Sequence, residues 1–235
     1  MIWEKRSKDV AHLVEGVVNA KTKLYMSFSK LNQPIELFID SLNLELITKD
    51  RKIVLQTLID YITKNRINDG IVKLNFICTH NSRRSHMCQV WAKTLANYYN
   101  IENIKCYSGG TEATAVYSSV LQTLKNAGFR VNKISETTNP TYKLNFNQED
   151  CPMTLFSKTY NDAYNPREDF AAVMTCTDAD INCPIIPMAT RISLPYKDPR
   201  EYDHTSQEQE AYADRSKQIA TEMKFVFLKI KNETD

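Results

Sequence analysis

The chain has 235 residues, 42% of them hydrophobic and 25% charged, with a formal net charge of +2. That length buries one good core with room for a small appended lobe. The near-balanced charge, mixed along the chain, excludes nucleic-acid binding through charge alone, and no apolar run is long enough for a bilayer.

The opening Met1-Ile2-Trp3-Glu4-Lys5-Arg6 lacks the apolar stretch of a signal peptide, so a cytoplasmic location is expected. In that compartment six cysteines read as free or redox-active thiols, not as a stapled scaffold. Cys88 and Cys106 read as packing residues; Cys151 has no motif context.

Residues 1–70 read as a helical extension. Val10, Leu13, Val14, Val17 and Val18 follow a helical period. Pro34 opens a second, shorter helix through Leu42. Thr48 and Asp50 start a third, with Val54, Leu58, Tyr61 and Ile62 along one face and Asp69-Gly70 at its end. Such helices pack on the rest of the chain or on a second subunit, as in a homodimer through them.

Residues 71–235 alternate strand and helix. Strand Lys73–Ile77 leads to a loop and a helix to about Tyr99. Strand Lys105–Ser108 leads to a helix from about Thr114 to Asn126, closed by Gly128. Val131–Ile134 reads as a further strand, Ala171–Thr175 as another and Arg191–Leu194 as the last. A helix over about 207–230 carries Tyr212, Ile219, Met223, Val226 and Ile230 on one face. This pattern predicts an α/β fold, a three-layer sandwich with a central parallel sheet and the N-terminal helices added to it. Residues 136–170 break the rhythm with Asn139-Pro140, Cys151-Pro152 and Asn165-Pro166, and read as an inserted hairpin or flap.

The segment Cys78-Thr79-His80-Asn81-Ser82-Arg83-Arg84-Ser85 lies between the first strand of this pattern and its helix. A strand-to-helix turn aims the N–H groups of residues 79–84 at one point, where they hold a tetrahedral oxyanion. The helix N-terminus and Arg84 both favour a thiolate on Cys78. Arg84 can grip two anion oxygens with its planar fork, and Ser85 can donate to the sulfur. Farther on, Cys176 and Cys183 bracket a polar segment that follows another strand, with room to move, and Lys197-Asp198-Pro199 places a carboxylate in a turn. Ligands of parallel sheets bind past the carboxyl ends of strands, where both Cys78 and Cys176 fall. His80 and His86 have no ligand partners at metal spacing and read as loop and helix-surface residues, His12 and His204 as solvent or packing positions, and Trp91 as core.

This order of nucleophile loop, dithiol and late Asp-Pro resembles the thioredoxin-coupled arsenate reductases and the low-molecular-weight protein tyrosine phosphatases that share their fold. The resemblance covers about Lys73 to Ile230, including Tyr107-Ser108-Gly109-Gly110-Thr111-Glu112. It implies Cys78 as nucleophile, Arg84 and the loop N–H groups as charge stabilisers, Asp198 as proton donor, and a relay from Cys78 through Cys176 to Cys183. It implies no tightly bound cofactor and no metal, with thioredoxin or another dithiol donor if the protein is a reductase. The chain departs from the family at His80 (usually Gly), Arg83 (often Cys, here adding charge at the mouth), Lys197 (an acidic residue is common) and Gln89 (Glu in the reductases). The last change argues against a structural potassium site. Two other readings stay open: a phosphatase acting on phosphotyrosine or small phosphate esters, for which Cys78, Arg84, Ser85 and Asp198 suffice, and a non-enzymatic oxyanion or redox sensor. Against the phosphatase, Arg200-Glu201-Tyr202 replaces the paired tyrosines of those enzymes.

Overall fold

Buried residues alternate between the two faces of a pair of adjacent strands, and this sets the layers of the molecule. A computed structural model describes residues 31–67, 70–147 and 152–234. The expected first helix with its valines, the Asp69 end signal, His12 and Cys151 lie outside the described residues. Strands β1 (Val72–Cys78), β2 (Ile104–Gly110), β6 (Phe170–Met174) and β7 (Ala189–Ser193) form a four-stranded sheet in the order β2-β1-β6-β7. Every neighbouring pair in it is parallel.

Leu74 and Phe76 of β1, with Ala171 and Val173 of β6, enter one buried cluster; Ile77, Ala172 and Met174 enter another. Period-two alternation makes these the two faces of the sheet. The larger cluster is covered by α3 (Arg84–Tyr98), α6 (Glu208–Thr234) and the N-terminal helices α1 (Gln33–Asp40) and α2 (Lys49–Asn65). The smaller is covered by the short α5 (Thr177–Asn182). Helices thus flank a central parallel sheet on both faces, as the alternation predicts.

The N-terminal helices form for local reasons and persist for tertiary ones. Pro34 stands in the first turn of α1, and Thr48 caps α2 by accepting the Arg51 N–H at 3.2 Å; such a cap contributes about 1 kcal/mol. The face of α2 that packs inward is Leu55, Leu58, Ile59 and Ile62. Val54 and Tyr61, expected on that face, are only partly buried. Burial of each such side chain stabilises by about 2 kcal/mol, so packing outweighs the cap. Phe38 of α1 stacks on Trp91 of α3 with ring centroids 5.0 Å apart, and Trp91 donates to Ser216 of α6 at 2.8 Å.

The segment Val131–Ile134 does not join the parallel sheet. Its strand, β3 (Arg130–Lys133), pairs antiparallel with β4 (Tyr142–Asn145), which pairs with β5 (Met153–Leu155). The short β3 is mostly exposed, with a chain reversal directly after it, so it lacks the doubly buried face a central parallel strand needs. Helix α4 (Ser118–Asn126) also begins later than Thr114, because Thr114 serves the active loop described below. The chain after β5 returns to the end of β2: Gly110 N–H donates to Lys158 O at 2.9 Å, and Gly110 O accepts from Tyr160 N–H at 2.8 Å.

Candidate active site

Cys78 ends β1, and Cys176 follows the end of β6, its direct neighbour, with Ile77 opposite Met174. Because β2 lies on the other side of β1, the strand order reverses here, and such a crevice is where open α/β sheets bind ligands.

From residue 78 to 83 the backbone carbonyls all turn outward. Cys78 O accepts from Thr111 N–H at 3.1 Å, and Thr79 O from Glu112 N–H at 2.8 Å. His80 O takes the hydroxyls of Thr114 (3.2 Å) and Ser157 (2.9 Å). Asn81 O pairs with His86 Nε2 at 2.9 Å, Ser82 O with Tyr117 N–H at 3.1 Å, and Arg83 O with Met87 N–H at 3.2 Å. In a trans peptide the N–H lies opposite the carbonyl, and no peptide here is cis. The N–H groups of Thr79 to Arg84 therefore face the inside of the loop, a backbone concavity suited to an anion. Asn81 takes a φ of 43° to allow the bend; asparagine tolerates that region better than most residues. Gly110 closes against the loop so tightly that a Cβ there would lie 2.7 Å from both Asn81 N and Thr79 O.

Cys78 Sγ lies 3.1 Å from Ser85 Oγ, and Ser85 Oγ accepts from Asn81 Nδ2 at 2.8 Å, which leaves its own proton to point at the sulfur. Arg84 donates through Nη1 to Tyr196 O at 3.0 Å and through Nη2 to Asp198. Its Nε is buried and has no hydrogen-bond partner among the described residues. Asp198 caps a 3₁₀ turn, Pro199–Tyr202, by accepting Arg200 N–H at 3.1 Å. Lys197 is turned to Glu201 at 2.7 Å, so its ammonium is neutralised away from Asp198.

The thiols of Cys78, Cys176 and Cys183 belong to one buried cluster. Cys176 Sγ is 3.6 Å from Thr79 Oγ1 and accepts Ala179 N–H at 3.3 Å as the cap of α5. Burial raises the Cys183 pKa, Arg191 opposing it and Cys176 adding to it. The segment between them is not a loose polar run. It is the helix α5, clasped by Arg191, which reaches Ala179 O (3.0 Å), Cys183 O (3.2 Å) and the Asp180 carboxylate (3.2 Å).

Several placements differ from the sequence reading. Arg83 does not charge the mouth: it pairs with Asp203, donates to Tyr212 and lies over the Tyr117 ring, 4.1 Å from its centroid. His86 is fully buried, not on the helix surface. Burial, with the Lys158 charge, holds its pKa down to about 3, so the ring is neutral; it bridges Asn81 O and Ser108 Oγ (3.2 Å). His80 faces outward, 3.7 Å from Glu112. Gln89 donates to Cys106 O at 3.3 Å.

The sequence gives no sign of Lys158, which donates its N–H to Asn81 Oδ1 at 2.9 Å, or of Asn165, which donates to Ser108 O at 3.0 Å. Lys158 is 2% exposed, and burial pulls its pKa to about 8. The segment after β5 is thus the back wall of the loop. Beside the loop's other side opens a cavity of about 640 Å³ lined by His80, Ser82, Arg83, Tyr117, Arg200 and Asp203, among others.

Comparison with known proteins gives a consistent relationship. A family model described as low molecular weight phosphotyrosine protein phosphatase matches residues 73–180, which include Cys78, Arg84 and Cys176 and stop before Cys183 and Asp198. Arsenate reductase 2 of Staphylococcus haemolyticus is 33% identical over 112 residues, 48% of this chain and 66% of that protein. Arsenate reductase 2 of Staphylococcus epidermidis is 30% identical over 116 residues, 49% of this chain and 69% of that protein. The chain spans about two thirds of the length of these curated relatives. A solved low molecular weight phosphotyrosine phosphatase from Vibrio cholerae O395 aligns with a TM-score of 0.44 and 16% identity, over 69% of this chain and 98% of that one. The chain belongs to the enzyme family of these arsenate reductase relatives, and its residues 73–180 match the low molecular weight phosphotyrosine protein phosphatase model.

Proposed function

We propose that this protein reduces arsenate to arsenite through Cys78, Cys176 and Cys183. The observation that carries this reading is the gathering of those thiols in one buried cluster beside an inward-facing ring of backbone N–H groups. A phosphatase needs only the first of them.

In the proposed reaction the Cys78 thiolate attacks arsenic, and Asp198, which must take up a proton in the complex as Arg84 turns from it to the anion, passes that proton to the departing oxygen, which leaves as water. Arg84, through its unpartnered Nε–H, and the loop N–H groups stabilise the charge on the remaining oxygens, usually the largest catalytic contribution. Ser85 stabilises the sulfur as an anion. The Cys176 thiolate then attacks Cys78 Sγ. A sulfur–sulfur bond forms, the sulfur–arsenic bond breaks, and its electron pair stays on arsenic, which leaves as arsenite. The Cys183 thiolate attacks Cys176, which frees Cys78 and leaves a Cys176–Cys183 disulfide. The cycle needs no bound cofactor; a dithiol donor of the thioredoxin type would reduce the disulfide.

The helix α5 constrains the last step. Helix ends seven residues apart lie roughly 10 Å apart along the axis, beyond the ~7 Å Cα separation a disulfide tolerates. Cys176 and Cys183 can join only if α5 unwinds and Arg191 releases its carbonyls.

A second reading, hydrolysis of a phosphate ester, is favoured by the 640 Å³ cavity beside the loop at His80, Ser82 and Arg83, which is larger than a free oxyanion requires, although Cys78, Arg84 and Asp198 do not line it. The two are separated by assaying wild type, Cys78→Ser, Cys176→Ser and Cys183→Ser with arsenate plus thioredoxin, and with p-nitrophenyl phosphate. The expected pattern is loss of both activities in Cys78→Ser, and loss of multiple-turnover reduction alone in the other two. Sustained arsenate reduction by Cys176→Ser or Cys183→Ser would rule out the relay.

A further inference from the structure

Helix α2 carries a charge to the back of the site. Arg51 stands in its first turn, fixed by the Thr48 cap. The guanidinium donates twice to Glu222 of α6, Nε to Oε1 at 3.0 Å and Nη2 to Oε2 at 2.8 Å. Glu222 is 3% exposed, so this is a buried, two-point ion pair. The same guanidinium lies over the ring of Tyr196, 4.7 Å from its centroid. Tyr196 is itself buried, and its carbonyl holds Arg84 Nη1 at 3.0 Å. Asp198, which takes the other arm of Arg84, follows two residues later. One residue, Tyr196, therefore presents its ring to Arg51 and its backbone to Arg84.

We propose that Arg51 is a positioning residue for the oxyanion site: by clamping the Tyr196 ring between α2 and α6, it holds the Tyr196–Asp198 segment so that Arg84 and Asp198 face the Cys78 loop. The inference rests on reading that loop as an oxyanion site. It gives the N-terminal helices a part in the chemistry without their touching substrate. Burial works against the Arg51 charge, but the hydrogen bond to Glu222 leads the contributions that raise its pKa, so the clamp stays a cation.

The competing explanation is that Arg51 only neutralises a buried carboxylate. Removing either partner alone would strand the other, so single truncations do not separate the two. The double variant Arg51→Met/Glu222→Gln does, since it removes both charges and leaves the volume filled. Its folding is checked by thermal melting. The readouts are the inorganic phosphate concentration that half-protects Cys78 from iodoacetamide, and kcat and KM for p-nitrophenyl phosphate. The expected result is a folded protein that needs about tenfold more phosphate for protection and has kcat reduced about tenfold. The loss in kcat should be less than additive with Asp198→Asn, because both act through the same carboxylate. Wild-type protection and kcat in the folded double variant would overturn the proposal. Should that variant not fold, Arg51→Lys carries the test on the same readouts: it keeps Glu222 neutralised but loses the planar fork and the ring contact. Phosphate that fails to protect even wild-type Cys78 would sink the oxyanion reading itself, a result distinct from protection that the variants leave unchanged.

Discussion

A neutral imidazole is built into the wall of the anion loop, and it ties the loop to acid pH. His86 bonds the carbonyl of Asn81, the residue at the bend, and its other nitrogen meets Ser108. Protonation would place a cation in a fully buried site beside the Lys158 charge, which is why burial and Lys158 hold its pKa near 3 against an ordinary 6.5. Between those values the unfolded chain binds a proton that the fold does not. Stability is therefore untouched by His86 above about pH 6.5 and declines as the pH falls from there toward about 3. In His86→Gln the urea midpoint should fall less steeply between about pH 6 and pH 4. An unchanged slope would mean that the ring is not the group responsible. Lys158 acts in the opposite range: its pKa near 8 in the fold makes its charge a burden at neutral pH that lifts as pH rises from about 8 toward 10.5.

Among the elements, α5 has the conflict between stability and function. It must persist to keep Cys176 bonded to the Ala179 N–H and Cys183 buried, and in the proposed cycle it must also open. Arg191 holds it from β7, with bonds to the carbonyls of Ala179 and Cys183 and to the Asp180 carboxylate, while Ser193 donates to the same carboxylate. The guanidinium is partly exposed, so these bonds are worth less than buried ones, but together they reach about 1–2 kcal/mol. Arg191→Met should leave the overall melting temperature nearly unchanged and speed the modification of Cys183 by a disulfide reagent about tenfold. Equal rates in the two proteins would show that the clasp does not control opening. The strands β3 to β5 act differently, as a prop: the chain after them delivers Ser157 to His80 O and Lys158 to Asn81 Oδ1.

Across the whole molecule, the described N-terminal helices and the sheet share one core. Ile35, Leu58 and Ile62 are buried in the same cluster as Leu74, Phe76 and Val173. They should open together: native-state hydrogen exchange at Leu58 and Ile59 should report the same free energy as at Leu74 and Phe76. Markedly faster exchange in α2 alone would show a separable lobe, and would weaken the case for Arg51.

That shared core also marks the limit of reading the chain from its sequence. The Cys78–Ser85 loop, the parallel alternation and the long last helix were legible because each is local: a period, a cap, or a motif between a strand and a helix. Helix α2 showed itself by Thr48 and its apolar period. His86 misled because a polar residue at a helix start has the same appearance whether it faces solvent or a buried carbonyl. Arg83 misled because its neutralising partner, Asp203, is far along the chain. Lys158, Asn165 and Arg51 gave no local signal at all, since each acts through a partner distant in sequence. The amino-acid sequence alone determined that Cys78 stands at the head of a strand-to-helix backbone turn. Only the tertiary structure decided what stands behind that turn, because hydrogen bonds and ion pairs between residues far apart in the sequence depend on how layers pack, and packing has no period to read.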